Sequence, residues 1–87
     1  MVNPELDIVD FIITDSKDIV VADASQSRII YYQYSMENEV TITKVVGLSS
    51  KPLALAYSPS ENSLFVGTRQ GINEHDASDP SILRSTY

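Results

Sequence analysis

This sequence has no cysteine and no tryptophan, a single histidine, three glycines, and half as many basic side chains as acidic ones. Each shortage excludes something. Without cysteine there is no disulfide framework, and His75 alone cannot build a zinc site, so two of the usual staples of a small domain are missing. Six basic against twelve acidic residues leave a net charge of −6, which repels phosphate backbones and anionic headgroups. Neither nucleic acid nor a membrane surface is expected as a partner. No uninterrupted apolar run, Ile19 to Ala22 among them, approaches the roughly 20 residues of a spanning helix. The acidic opening, Met1 to Asp10, lacks the basic start and apolar core of a secretory signal. Gly47, Gly67 and Gly71 are scattered, so no phosphate-cradling loop is present.

What the chain does contain is 43% apolar residues, rich in Ile and Val, cut into short segments by polar turns. Turn clusters such as Thr14-Asp15-Ser16-Lys17 and Ser58-Pro59-Ser60-Glu61-Asn62 recur too often for helices of ordinary length. An all-β chain is expected. Its predicted strands are Ile8 to Ile13, Asp18 to Ala22, Arg28 to Tyr34 and Val40 to Val46, then Leu53 to Tyr57, Ser63 to Thr68, Gly71 to His75 and Ser81 to Tyr87.

The two groups of strands repeat one another. Sliding the chain against itself by about 45 positions sets Ile12 on Tyr57, Ile19 on Leu64, Val20 on Phe65, Val21 on Val66 and Ala22 on Gly67. Closing a short gap after Gln26 sets Ile29 on Ile72. A period of this length with four strands per copy is that of a β-propeller blade. The sequence therefore predicts two four-stranded antiparallel blades, residues 1-48 and 49-87, belonging to a larger closed propeller. Ile19-Val20-Val21-Ala22 and Leu53-Ala54-Leu55-Ala56 read as inner strands covered on both faces, and Val40 to Val45 alternates like an outermost strand.

Specific residues carry a resemblance. Val21-Ala22-Asp23 followed by a polar turn and Arg28-Ile29 resembles the NHL repeat, and Val20 to Asp23 occupy the positions of the YWTD signature, with only Asp23 keeping its identity. Leu64 to Ile72 is similar to the WD-repeat pattern, in which Gly71 opens the third strand and Thr68 replaces the acidic residue. This resemblance implies a rigid interaction platform, and for Asp23 a structural role: accepting hydrogen bonds from turn amides or a neighbouring blade.

Two blades cannot close a ring of four to eight. Leaving about 500 Å² of apolar area wet on each outward face forfeits on the order of 12 kcal/mol per face, as an upper bound. The expected partner is therefore a protein: further blades of a longer chain, other copies forming a homo-oligomer, or another donor.

The candidate contact residues are Tyr32 and Tyr34, which share one strand face, with Tyr31 on the other. Packing against a neighbouring blade is favoured over ligand stacking. His75 is read as a surface or inter-blade side chain, because Glu74 and Asp76 point away from it. Asp7, Asp10, Asp15 and Asp18 are read as a solvated acidic rim, and no EF-hand loop accompanies them. No catalytic residue, cofactor or metal ligand is assigned. The expected function is a non-catalytic, protein-binding scaffold. Two alternatives are a lectin-like ring formed by oligomerisation and a propeller hydrolase or lactonase fragment with an axial metal.

Overall fold

A computed structural model describes residues 6–87. Eight strands follow one another: β1 (Ile8–Ile13), β2 (Asp18–Asp23), β3 (Arg28–Tyr34), β4 (Val40–Gly47), β5 (Ala54–Ser58), β6 (Ser63–Thr68), β7 (Gly71–Asp76) and β8 (Leu83–Thr86). They form two four-stranded antiparallel sheets in the orders β1-β2-β3-β4 and β5-β6-β7-β8, and no helix occurs among the described residues. Within each sheet, consecutive strands pair with one another.

Left-handed residues mark four of the chain reversals. Lys17, Ser27, Asn38 and Asn62 adopt left-handed backbone at the hairpin ends, with φ of 68°, 51°, 62° and 50°. Three of these reversals close on a backbone bond across the turn: Lys17 N–H to the Thr14 carbonyl, Asn38 N–H to Ser35, and Asn62 N–H to Pro59. Asparagine tolerates this region, whereas Lys17 and Ser27 occupy it against their preference.

Gly71, with φ of 134°, starts β7 where a Cβ would run into the Tyr87 carbonyl oxygen. That carbonyl accepts from Ile72 N–H at 3.1 Å, and the Tyr87 amide returns a 2.7 Å bond to Ile72. Gly71→Ala should therefore cost about 2 kcal/mol. A urea titration should show a lower midpoint, with early hydrogen exchange at the Tyr87 amide; an unchanged midpoint would contradict this account of the β7–β8 junction.

Some strand limits differ from the sequence-based ones. β2 continues to Asp23, β4 to Gly47, β5 to Ser58 and β7 to Asp76, while β5 begins at Ala54. The last strand is much shorter than the predicted Ser81 to Tyr87. Its start is taken by a turn around Asp79, whose carbonyl accepts from Ile82 N–H at 3.0 Å and whose carboxylate accepts the Ser81 amide and hydroxyl. This local competition for backbone donors delays the ladder until Leu83.

The registers define cross-strand rows. In the first sheet, Asp10, Ala22, Ile29 and Val46 form one row, and Ile12, Val20, Tyr31 and Lys44 the next row on that face. The opposite face carries Phe11, Val21, Ile30 and Val45, then Ile13, Ile19, Tyr32 and Ile42. In the second sheet, Leu55, Val66 and Asn73 share a face with Tyr57, Leu64 and His75. Ala54, Gly67 and Ile72 share the other with Ala56, Phe65 and Glu74.

The core lies between the sheets. Val20, Ala22, Ile29 and Tyr31 from the first pack on Leu55, Leu64 and Val66 from the second, with Ala77 beside them and Ile12, Leu48 and Tyr57 at the margin. Polar contacts span the same seam. The Tyr31 hydroxyl donates to the Ala77 carbonyl at 2.6 Å, Asp10 accepts from Leu55 N–H at 2.9 Å, and Asp15 N–H donates to the Tyr57 hydroxyl at 3.0 Å. Burial pushes the Tyr31 hydroxyl pKa up, with Asp18 and Asp76 adding to the effect.

Candidate interaction surface

The second face of the first sheet has two central rows that consist entirely of apolar side chains and tyrosine. Its central members Val21 and Ile30 are buried, but its outer strands are open: Phe11 is 60% exposed, Ile13 57%, Ile42 58% and Val45 51%. Strand alternation explains the arrangement. Phe11 and Ile13 project from β1 on the side opposite Ile12, and a bulge at Thr43 brings Ile42 and Val45 to one side despite their odd spacing. Large exposed aliphatics on both margins of one sheet face are what a docking surface offers.

Tyr32 and Tyr34 follow Ile30 on this face. Tyr32 is half-buried in the row with Ile19 and Ile42. Tyr34 is exposed, and its hydroxyl donates to Asn38 Oδ1 at 3.2 Å. Together with Ile13, Lys17, Ile19, Ser35, Met36 and Asn38, Tyr34 lines a groove of about 540 Å³ at the β3–β4 end of the sheet. Tyr31 faces the other way and is fully buried between the sheets, with the Lys44 ammonium 5.1 Å from its ring centroid.

Asp23 closes the opposite end of β2. Its side chain is buried and accepts from Asp7 N–H at 2.9 Å, Ser25 N–H at 3.0 Å, the Ser25 hydroxyl at 2.7 Å and Arg28 Nε at 2.8 Å. Burial works against the charge, but the Asp7 amide, Arg28 and Ser25 overcome it and hold the carboxyl pKa at about 2. The group is a fixed anion tying the incoming chain, the β2–β3 turn and β3 together. Asp7 takes part through its backbone, since its carbonyl also accepts from Ala24 N–H.

In the second sheet, Arg84 does comparable work. It is the extra residue of a bulge in β8, and its guanidinium donates to the Glu61 and Asn62 carbonyls, the Ser63 hydroxyl and Asp76. The turn amides of Asp79 and Ser78, together with Arg84, hold the Asp76 carboxyl below its ordinary pKa. Glu74 accepts from Ser63 Oγ and the Tyr87 hydroxyl, which lower its pKa in the same way.

Two sequence-based readings need correction. The four aspartates do not form a uniformly solvated rim: Asp18 is buried, and Asp10 is half-buried because its carboxylate binds a backbone amide of the other sheet. His75 is buried, so the surface alternative fails. Its Nδ1 donates to the Pro80 carbonyl at 2.8 Å, and its Nε2 is buried with no hydrogen-bond partner among the described residues. Among the described residues, no three His, Asp or Glu side chains gather in a metal-holding arrangement.

The seam residues Asp10 and Ala77 were missed by sequence reasoning. Asp10 sits in the inward-facing row of an otherwise apolar strand, a position that calls for a nearby donor, but the donor comes from residue 55 and no local pattern names it. Compared with known protein families, curated proteins and solved structures, the chain matches none.

Proposed function

We propose that the two sheets are successive blades of a propeller-type array and that the chain is a non-catalytic, protein-binding scaffold whose affinity resides in its sheet faces. One observation carries this reading: the sheets stack front to back. Asp23 and Thr68 end the second strand of each sheet, and each pairs with the first residue of the third strand, Arg28 and Gly71. The faces bearing Asp23 and Thr68 therefore correspond. In the first sheet that face, with Val21 and Ile19, is the outward one; in the second, with Val66 and Leu64, it forms the seam.

A second correspondence supports the repeat. The fourth strand bulges by one residue at the same point in each sheet, at Thr43 between the partners of Tyr31 and Tyr32, and at Arg84 between the partners of Glu74 and His75. The first strands match with a different offset from the sequence-based one. Ile13 opposes Ile19 as Tyr57 opposes Leu64, so Tyr57 answers to Ile13, not Ile12. A one-residue slip of this kind exchanges the faces of a strand.

The energetics favour a covered face. Phe11, Ile13, Ile42 and Val45 each leave about half a side chain in water, and covering all four returns roughly 4 kcal/mol. Tyr32 and Tyr34 extend the same apolar surface, so they belong to a protein contact.

A photo-crosslinking residue placed at position 11, with position 51 as an exposed control, tests this reading. Irradiation in a cell extract should give protein adducts from position 11 well above the control. Equal yields from both positions, or none, would overturn the scaffold proposal.

A further inference from the structure

We propose that the chain self-associates head to tail, the outward face of the first sheet in one copy seating on the outward face of the second sheet in another. This rests on the reading of the sheets as successive repeats, and it adds the partner and the orientation.

The internal seam supplies the template. There, the first sheet offers Ala22, Val20 and Ile29, and the second offers Leu55, Leu64 and Val66. The face that corresponds to the second sheet's seam surface is free on the first sheet, with Phe11 at the place of Leu55, Ile19 at that of Leu64 and Val21 at that of Val66. The face that corresponds to the first sheet's seam surface is free on the second, with Gly67 at the place of Ala22, Phe65 at that of Val20 and Ile72 at that of Ile29. The chain thus carries both halves of a contact it already makes once. Because they lie on opposite ends of the sheet pair, they join two copies and cannot join within one.

The surfaces also suit each other chemically. The first sheet's two central free rows contain no charge, and at the end of that face Asp23 and Arg28 are already paired with each other at 2.8 Å. The second sheet's outward face is shallow around Ala54, Ala56 and Gly67, with Phe65 and Ile72 around a depression of about 150 Å³. Small residues there leave room for the projecting Phe11 and Ile13. Glu74, the charged member of the rows around that depression, is already held by the Ser63 and Tyr87 hydroxyls. Such a contact is heterologous: it uses two different patches, and it propagates until a ring closes or a filament forms. With a net charge of −6 per copy, repulsion opposes it, so added salt strengthens it.

Sedimentation velocity on the full chain tests the proposal. The wild type should associate with rising concentration, more so in 0.5 M salt. Phe11→Asp removes one face and Ile72→Asp the other, so each variant alone should be monomeric at concentrations where the wild type is assembled. Mixed in equal amounts, they should form a 1:1 dimer that grows no further, because each retains the half the other lacks. A wild type that stays monomeric at hundreds of micromolar overturns the inference, as does one variant that still dimerises alone, which means a face meeting its own kind. Neither result touches crosslinking to other proteins from position 11. Should either Asp variant lose its β-sheet circular dichroism, Ile42→Lys and Phe65→Lys replace the pair. A spin label on a cysteine at position 42, unique in this cysteine-free chain, supplies a second readout. It should broaden the amides of Ala56 and Ile72 in an unlabelled copy, and broadening confined to other residues rejects the proposed orientation.

Discussion

Val66→Asp is expected to abolish folding, yielding a chain that is insoluble or lacks a cooperative thermal transition. Val66 is fully buried in the seam between Leu55 of its own sheet and the apolar face of the other. An aspartate there loses the burial of the valine side chain and places a carboxylate where no donor waits. Together these cost on the order of 5 kcal/mol or more, comparable to the whole stability of a small domain. Val20→Asp, equally buried on the facing sheet, should behave alike. Val66→Ala separates the terms, since it leaves only a small cavity and costs about 2 kcal/mol. The check is circular dichroism with thermal and urea unfolding of all three variants. A soluble, cooperatively folded Val66→Asp would mean that the sheets do not bury this seam.

Asp23→Ala should be the most damaging change outside the apolar core, at about 3 kcal/mol, because it strips the acceptor from the Asp7 and Ser25 amides and leaves Arg28 without its ion-pair partner. The pH dependence gives an independent measure. A carboxyl of ordinary pKa 3.8 in the unfolded chain and about 2 in the folded one contributes stability that is fully present above pH 3.8. That contribution is lost as pH falls through 2, and by linkage it amounts to about 2 kcal/mol. Asp23→Asn removes the titration but retains one carbonyl acceptor. Its stability deficit relative to wild type, measured by urea unfolding, should therefore shrink between pH 4 and pH 2. A constant deficit over this window would show that the depressed carboxyl is not what Asp23 contributes.

The strand pattern was written plainly in the residues. β-branched runs separated by Ser, Asp, Asn and Pro clusters predict eight strands, and all eight exist within a few residues of the predicted limits. Their antiparallel pairing follows from the short turns between them. What lay beyond the sequence depends on register or distant partners. The face of β1 that turns inward is set by a loop that pairs Ile13 with Ile19, whereas the corresponding loop in the second sheet pairs Ser58 with Ser63. No composition rule distinguishes those two hairpins. The burial of His75 depends on the Pro80 carbonyl, brought up by a turn that also shortens β8. Alternation sets Tyr31 apart from Tyr32 and Tyr34 in the sequence but does not say which face turns inward. Only the sheet packing makes the first an inter-sheet pin and leaves the other two on the outward face.

Among the described strands, order in each sheet follows chain order without a crossover. Each sheet can accordingly zip up from its own hairpins, and the longer-range step is the docking of two finished plates across the linker from Leu48 to Leu53. In evolutionary terms, such a layout is modular. A duplicated or deleted stretch of DNA spanning one plate would lengthen or shorten the stack without rethreading any existing ladder.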